Sequence, residues 1–119
     1  MAFKSFLDIR HIEGTEQYKL LRDLIYISNN GFKWIILKGF KSDGHSIPQL
    51  LRSIAGSPFA TKFPRSAWLH DYLLWRIPRK KADLLYKEAM ASEGATKFQQ
   101  IRNYYGVRVG AFFGWLTRR

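Results

Sequence analysis

Residues 18–40 read "YKLLRDLIYISNNGFKWIILKGF", and the class of the fold turns on how this stretch is divided. Its two halves, 18–28 and 32–40, are rich in β-branched and apolar residues, with Asn29-Asn30-Gly31 between them. Asn-Gly is a strong short-range hairpin signal, because both residues tolerate positive φ. The stretch therefore predicts an antiparallel hairpin. Residues 3–12, "FKSFLDIRHI", are a candidate additional strand. Leu24, Tyr26 and Ser28 alternate with Ile25 and Ile27, and alternation alone leaves open which face is buried.

Downstream the pattern changes. "KSDGHSIPQLLRSIAGSP" (41–58) begins with turn chemistry at Asp43-Gly44. Ser46 is placed to cap a short helix, with Pro48 in its first turn and Gly56 at its end. Pro58 and Pro64 punctuate the loop that follows. From Pro64 onward the reading is helical. "PRSAWLHDYLLWRI" (64–77) sets Ser66, His70, Leu73, Leu74 and Ile77 on one face. "PRKKADLLYKEAMASEG" (78–94) sets Ala82, Leu85, Tyr86, Ala89 and Met90 in a core stripe, and Gly94 stops it. "TKFQQIRNYYGVRVGAFFGWLTRR" (96–119) spaces Phe98, Ile101, Tyr105, Val109, Phe112 and Leu116 as a helix would. Gly106, Gly110 and Gly114 form a second stripe on it. Glycine costs about 1 kcal/mol in a helix interior relative to alanine. Three in register predict a neighbouring helix lying close in that groove. The alternative is a helix that meets a membrane or a partner with its Trp115 and Arg118–Arg119 end.

The expected fold is thus α+β: a small antiparallel N-terminal sheet packed with about three C-terminal helices, in a single domain over 1–119. Hydrophobic residues make up 46% of the chain, enough for a real core. There is no cysteine, which excludes disulfides and thiolate metal sites. The first ten residues lack the apolar run of a signal peptide, and no apolar stretch reaches the length of a spanning helix. The formal net charge of +11 attracts anionic membrane surfaces or nucleic acid without choosing between them. The basic residues are spread along the chain, so a merely solvated basic surface is the other reading.

Few residues here can do chemistry. "SAWLHDYLLW" (66–75) buries an ionisable pair, His70-Asp71, inside an apolar helix. Neighbours on a helix diverge by about 100°, so Asp71 cannot orient His70. Asp83, on the edge of the next helix's core stripe, is the candidate partner. A carboxylate there would fix the imidazole tautomer and leave the other ring nitrogen to activate water. Asp83 would equally serve as a helix-start acid, and His70 as a hydrogen-bonded core residue. Asp71, Asp43 and His45 are candidate ligands for a divalent cation such as calcium or zinc. An Asx turn with a helix cap explains Asp43 and Ser46 equally well.

Two resemblances attach to these residues. The order "GFKSDGHSIP", "GSPF", "HDYL" and "KKADLLYKEAM" resembles the family of unknown function numbered 1353, found in tailed phages and prophages. That implies a phage or prophage origin and a place in the host cytoplasm or the virion, with other phage proteins as partners. It implies no particular activity. In that family the loop reads "DGASIP" or similar and the helix "HDYLY"; this chain has His45 and Leu74 at the differing positions. Over residues 66–90 the pattern is also similar to the His-Asp helix pair of phospholipases A2. That likeness implies His70 as base on water, Asp83 as its orienting partner and Asp71 as a calcium ligand. The glycine-rich calcium loop of that family has no recognisable counterpart, and "SDGHSIP" would have to replace it. Two function classes follow. One is a hydrolase acting on an ester of lipid or cell wall. The other is a non-catalytic virion component or host-directed binding module whose His/Asp cluster is structural. Nothing in the sequence sets the oligomeric state.

Overall fold

The N-terminal third of the computed structural model is a three-stranded antiparallel meander bent across its middle. The structure describes residues 1–15, 17–42 and 63–117, with side chains as far as residue 108. The outer strand is β1 (Ala2–Phe3) and β2 (Ile9–His11), and the central one is β3 (Tyr18–Leu20) and β4 (Leu24–Ile27). The third strand is β5 (Lys33–Ile36) and β6 (Lys41–Ser42). The bend divides the meander into two sheets, ordered β1-β4-β5 and β2-β3-β6. Register is the same on both sides of the bend. Ala2 faces Ile27 and His11 faces Tyr18 in one alignment, and Ile27 faces Lys33 and Tyr18 faces Ser42 in another.

Side chains take over the ladder where it is interrupted. The Ser5 hydroxyl accepts from the Ile25 N–H and donates to the Asp23 carbonyl, both at 3.0 Å. The Asp23 carboxylate accepts the Lys38 N–H at 2.8 Å. These polar substitutes explain why each expected strand is split in two. The expected hairpin survives in β4 and β5, but its turn is longer than a two-residue Asn-Gly loop. Gly31 donates to the Ser28 carbonyl at 2.9 Å, and Gly31 alone has positive φ, 82°. Asn30 contributes its side chain instead: Oδ1 accepts from the Phe32 N–H at 3.0 Å and from the Ser28 hydroxyl. A turn followed by a left-handed glycine is a common hairpin solution.

Among the described residues three helices follow: α1 (Pro64–Leu73), α2 (Arg79–Ser92) and α3 (Lys97–Thr117). Proline at the first position of α1 loses no hydrogen bond there. Its cap comes from a distance: Glu93 Oε1 accepts the Ser66 N–H at 2.8 Å and the Ser66 hydroxyl at 2.6 Å. A carboxylate at that end also suits the macrodipole. α1 stops at Leu73, short of the expected Ile77: Leu74 donates to the His70 carbonyl at 3.0 Å, and a turn closed by the Arg76 N–H on the Leu73 carbonyl, also at 3.0 Å, leads into Pro78. α2 closes as expected on Gly94, at φ 93°, with Ala95 donating back to the Met90 carbonyl at 3.0 Å. α3 opens on a capping box, in which Thr96 and Gln99 each satisfy the other's backbone N–H.

The core lies between the meander and the first two helices. Leu20, Leu24, Tyr26 and Ile36 pack with Trp68, Leu69 and Leu73 of α1 and Ala82, Leu85 and Ala89 of α2. A second cluster, Phe63, Tyr86, Met90 and Val107, joins α2 to α3. The α2 stripe is the expected one. α1 is covered on more than its expected face, since Trp68 and Leu69 are buried beside Ser66, His70 and Leu73. α3 departs most from expectation. Phe98, Ile101 and Tyr105 point to solvent, while Asn103 and Val107 turn inward. Polar bonds set that orientation: Asn103 Nδ2 donates to Met90 Sδ at 3.3 Å, and Arg108 reaches Asp83 on α2. Among the described residues a methyl group added at Gly106 would meet nothing within 4 Å, so none of the described helices lies close at that point of the glycine stripe. The remaining stripe positions, Gly110 and Gly114, lie outside the described side chains, as do Val109, Phe112, Trp115 and Leu116.

Candidate functional site

The apolar surroundings of His70 are what make its partners informative. It sits on the α1 face that meets α2, one turn after Ser66 and one before Leu73. The imidazole is 1% exposed and the Asp83 side chain 0%. Groups buried to that degree must find partners. His70 Nε2 lies 2.5 Å from Asp83 Oδ1. The ring rests against Tyr86, centroids 4.7 Å apart and planes inclined by 32°. Asp83 Oδ2 accepts from Arg108 Nη1 of α3 at 2.9 Å, and Arg79 Nε stands 3.7 Å from Oδ1. One buried carboxylate thus gathers a side chain from each of the three helices. The cationic Arg108 offsets the cost of burying the charge.

Asp71 leaves α1 in another direction, as its adjacency to His70 requires. Its Oδ2 accepts the hydroxyl of Ser42, at the end of β6. The α1 pair therefore serves two segments: His70 ties α1 to α2, and Asp71 ties α1 to the meander. Asp43 and His45, the other two candidate cation ligands, lie outside the described residues, as does the short helix expected from Ser46. Among the described residues no group of three or more His, Asp or Glu side chains converges.

The arrangement can do one chemical thing directly. With Asp83 as acceptor, the ring proton of a neutral His70 resides on Nε2, and Nδ1 carries the lone pair that would accept a proton. Three members of the cluster were not singled out for it in the sequence. Arg79 stands four residues before Asp83, a spacing that was readable as a helix ion pair. Tyr86 belongs to the α2 core stripe, and its place against the His70 ring carries no separate sequence signal. Arg108 pairs with Asp83 across 25 residues and carries no local signal.

Tyr86 has its own electrostatic character. Burial pushes its hydroxyl up to about 12, and the nearby Glu93 adds to the effect while Asn103 and Arg102 draw it back in part. Tyr26 is also raised, first by burial and then by its 2.6 Å hydrogen bond to Glu88 Oε1 and that carboxylate's charge. Glu88 accepts from the Asn29 N–H as well, at 2.9 Å, which fastens α2 to the hairpin turn.

Comparison with known proteins places the chain in a family. Residues 18–107 match the one described as "Protein of unknown function (DUF1353)", and the chain belongs to it. It is similar to the uncharacterized protein y4iH of Sinorhizobium fredii (strain NBRC 101917 / NGR234), 34% identical over 98% of this chain and 50% of that protein. It is also similar to the uncharacterized protein y4jT of the same strain, 30% identical over 85% of this chain and 26% of that protein. The chain therefore spans half or less of these curated relatives. No solved structure matches it significantly. Among the described residues, no helix is long and apolar enough to cross a membrane.

Proposed function

We propose that the chain is a small hydrolase of phage or prophage origin that uses His70 as general base on water, with Asp83 holding the ring. The observation that carries this reading is the 2.5 Å contact between Asp83 Oδ1 and His70 Nε2. An Nε2 donor to that carboxylate would leave Nδ1 to act as the base. In this reading Nδ1 takes a proton from water as the oxygen attacks an ester carbonyl, and returns it to the departing alkoxide. The substrate class is an ester of lipid or cell wall. Asp71, with Asp43 and His45, is the proposed place for calcium or zinc. A cation there would share or displace the Ser42 hydroxyl that Asp71 now accepts.

A second reading is favoured by burial. His70 and Asp83 are almost fully enclosed, and Asp83 is bonded on both oxygens. Such a cluster locks three helices together, as suits a virion component or host-directed binding module. The two readings separate when the purified chain is incubated with phospholipid vesicles and cell-wall esters, with calcium, zinc or chelator present. Release of free acid is the expected result. No release from any of these substrates under any condition would leave the structural reading.

A further inference from the structure

We infer that the outward face of α3 is a docking surface for an anionic lipid bilayer, which it meets lying flat. Phe98, Ile101 and Tyr105 are 72%, 46% and 62% exposed. Their spacing puts them along one side of the helix for about 10 Å. α3 packs against α2 through the opposite side, at Asn103 and Val107, so its outer face is turned away from α2.

Charge names the occupant. From Gly94 to the end, the sequence has Lys97, Arg102, Arg108, Arg118 and Arg119 and no Asp or Glu. Arg102 lies over the Phe98 ring, 5.9 Å from its centroid, and Lys87 of α2 approaches Tyr104 at 5.4 Å. Arg108 is held by Asp83 of α2, which leaves Lys97 and Arg102 as the cations beside the apolar line, with no carboxylate on α3 to offset them. The surface that completes this face is negatively charged outside and apolar just beneath. A bilayer with anionic headgroups has both properties. Nucleic acid has the charge but offers no hydrocarbon phase to Ile101. Because α3 is not apolar enough to cross, it would rest in the interface with its stripe inserted and its cations at headgroup level. The inference stands apart from the His70 chemistry and does not need it.

The test is co-sedimentation of the intact chain with phosphatidylcholine vesicles, alone and mixed with phosphatidylglycerol. The wild-type chain should partition onto the mixed vesicles and far less onto the neutral ones. Phe98→Ser and Ile101→Ser, each with a wild-type melt, should each lower partitioning roughly tenfold or more, as loss of one buried apolar side chain requires. Arg102→Gln should weaken binding in a way that added salt masks. A readout that needs no variant is the salt series on the wild type: partial binding should persist at high salt, carried by the apolar line. Complete release by salt would overturn the inference. So would serine variants that bind like wild type, or a chain that ignores both vesicles while retaining an oligonucleotide.

Discussion

Asp83 shows how much one residue organises. A carboxylate with 0% exposure is sustained by hydrogen bonds from His70 and Arg108 on two other helices, with the charge of Arg79 nearby on its own helix. Beside it, Tyr86 supports the imidazole ring and pays no charge penalty as long as it stays neutral. That condition gives a pH dependence. The folded-state value for Tyr86 is about 12, above the ordinary value near 10. Its neutral form is favoured by folding, so its contribution is fully present below about pH 10 and is lost as pH rises through about 12. Tyr26 is displaced further in the same direction, so its contribution also begins to fall above about pH 10 but is lost over a range that extends beyond the Tyr86 window. Stability measured by urea denaturation should therefore fall between about pH 10 and 12, and Tyr86→Phe should make that fall shallower. An unchanged slope in the Phe variant would remove Tyr86 from the account.

The secondary-structure elements divide into those that local rules fix and those that distant contacts fix. The hairpin, the α2 stripe, the Gly94 stop and the number of C-terminal helices all follow from short-range signals, and they were legible. So was the partnership of His70 with Asp83, since Asp83 borders a stripe that must face α1. The bend in the meander was not legible. It depends on Ser5 meeting Asp23 and Ile25, residues far apart in sequence. The orientation of α3 was not legible either. Periodicity offered two faces, the aromatic one and the one at Asn103 and Val107, and the bonds to Met90 and Asp83 chose the less apolar. Gly106 tests this orientation. It lies in the helix interior, and an added methyl meets nothing within 4 Å. Gly106→Ala should raise stability by roughly 0.5–1 kcal/mol, read as a higher denaturation midpoint. A loss of stability would mean that a neighbour lies closer to Gly106 than the packing of α3 on α2 implies.

At the scale of the whole molecule the layers run meander, α1 with α2, then α3. The His70–Asp83–Arg108 cluster is the polar fastening between the helices, and Asp71 with Ser42 fastens α1 to the meander. Both proposed roles use this plan. As chemistry, the layers hold one imidazole against a carboxylate that fixes its orientation; as architecture, they hold three helices in register. The chain covers 50% and 26% of the two curated relatives, so in them the matching stretch is accompanied by other sequence. The measurement that separates the roles is turnover and unfolding free energy of His70→Gln beside wild type. Glutamine places its amide nitrogen near the position of imidazole Nε2, so it can keep donating to Asp83, but it has no basic nitrogen to accept a proton. The account predicts ester hydrolysis by wild type that falls about 10²–10⁴-fold in the variant, with unfolding free energy within about 1 kcal/mol of wild type. Hydrolysis by the variant at the wild-type rate, or no hydrolysis by wild type on any phospholipid or cell-wall ester, would contradict it.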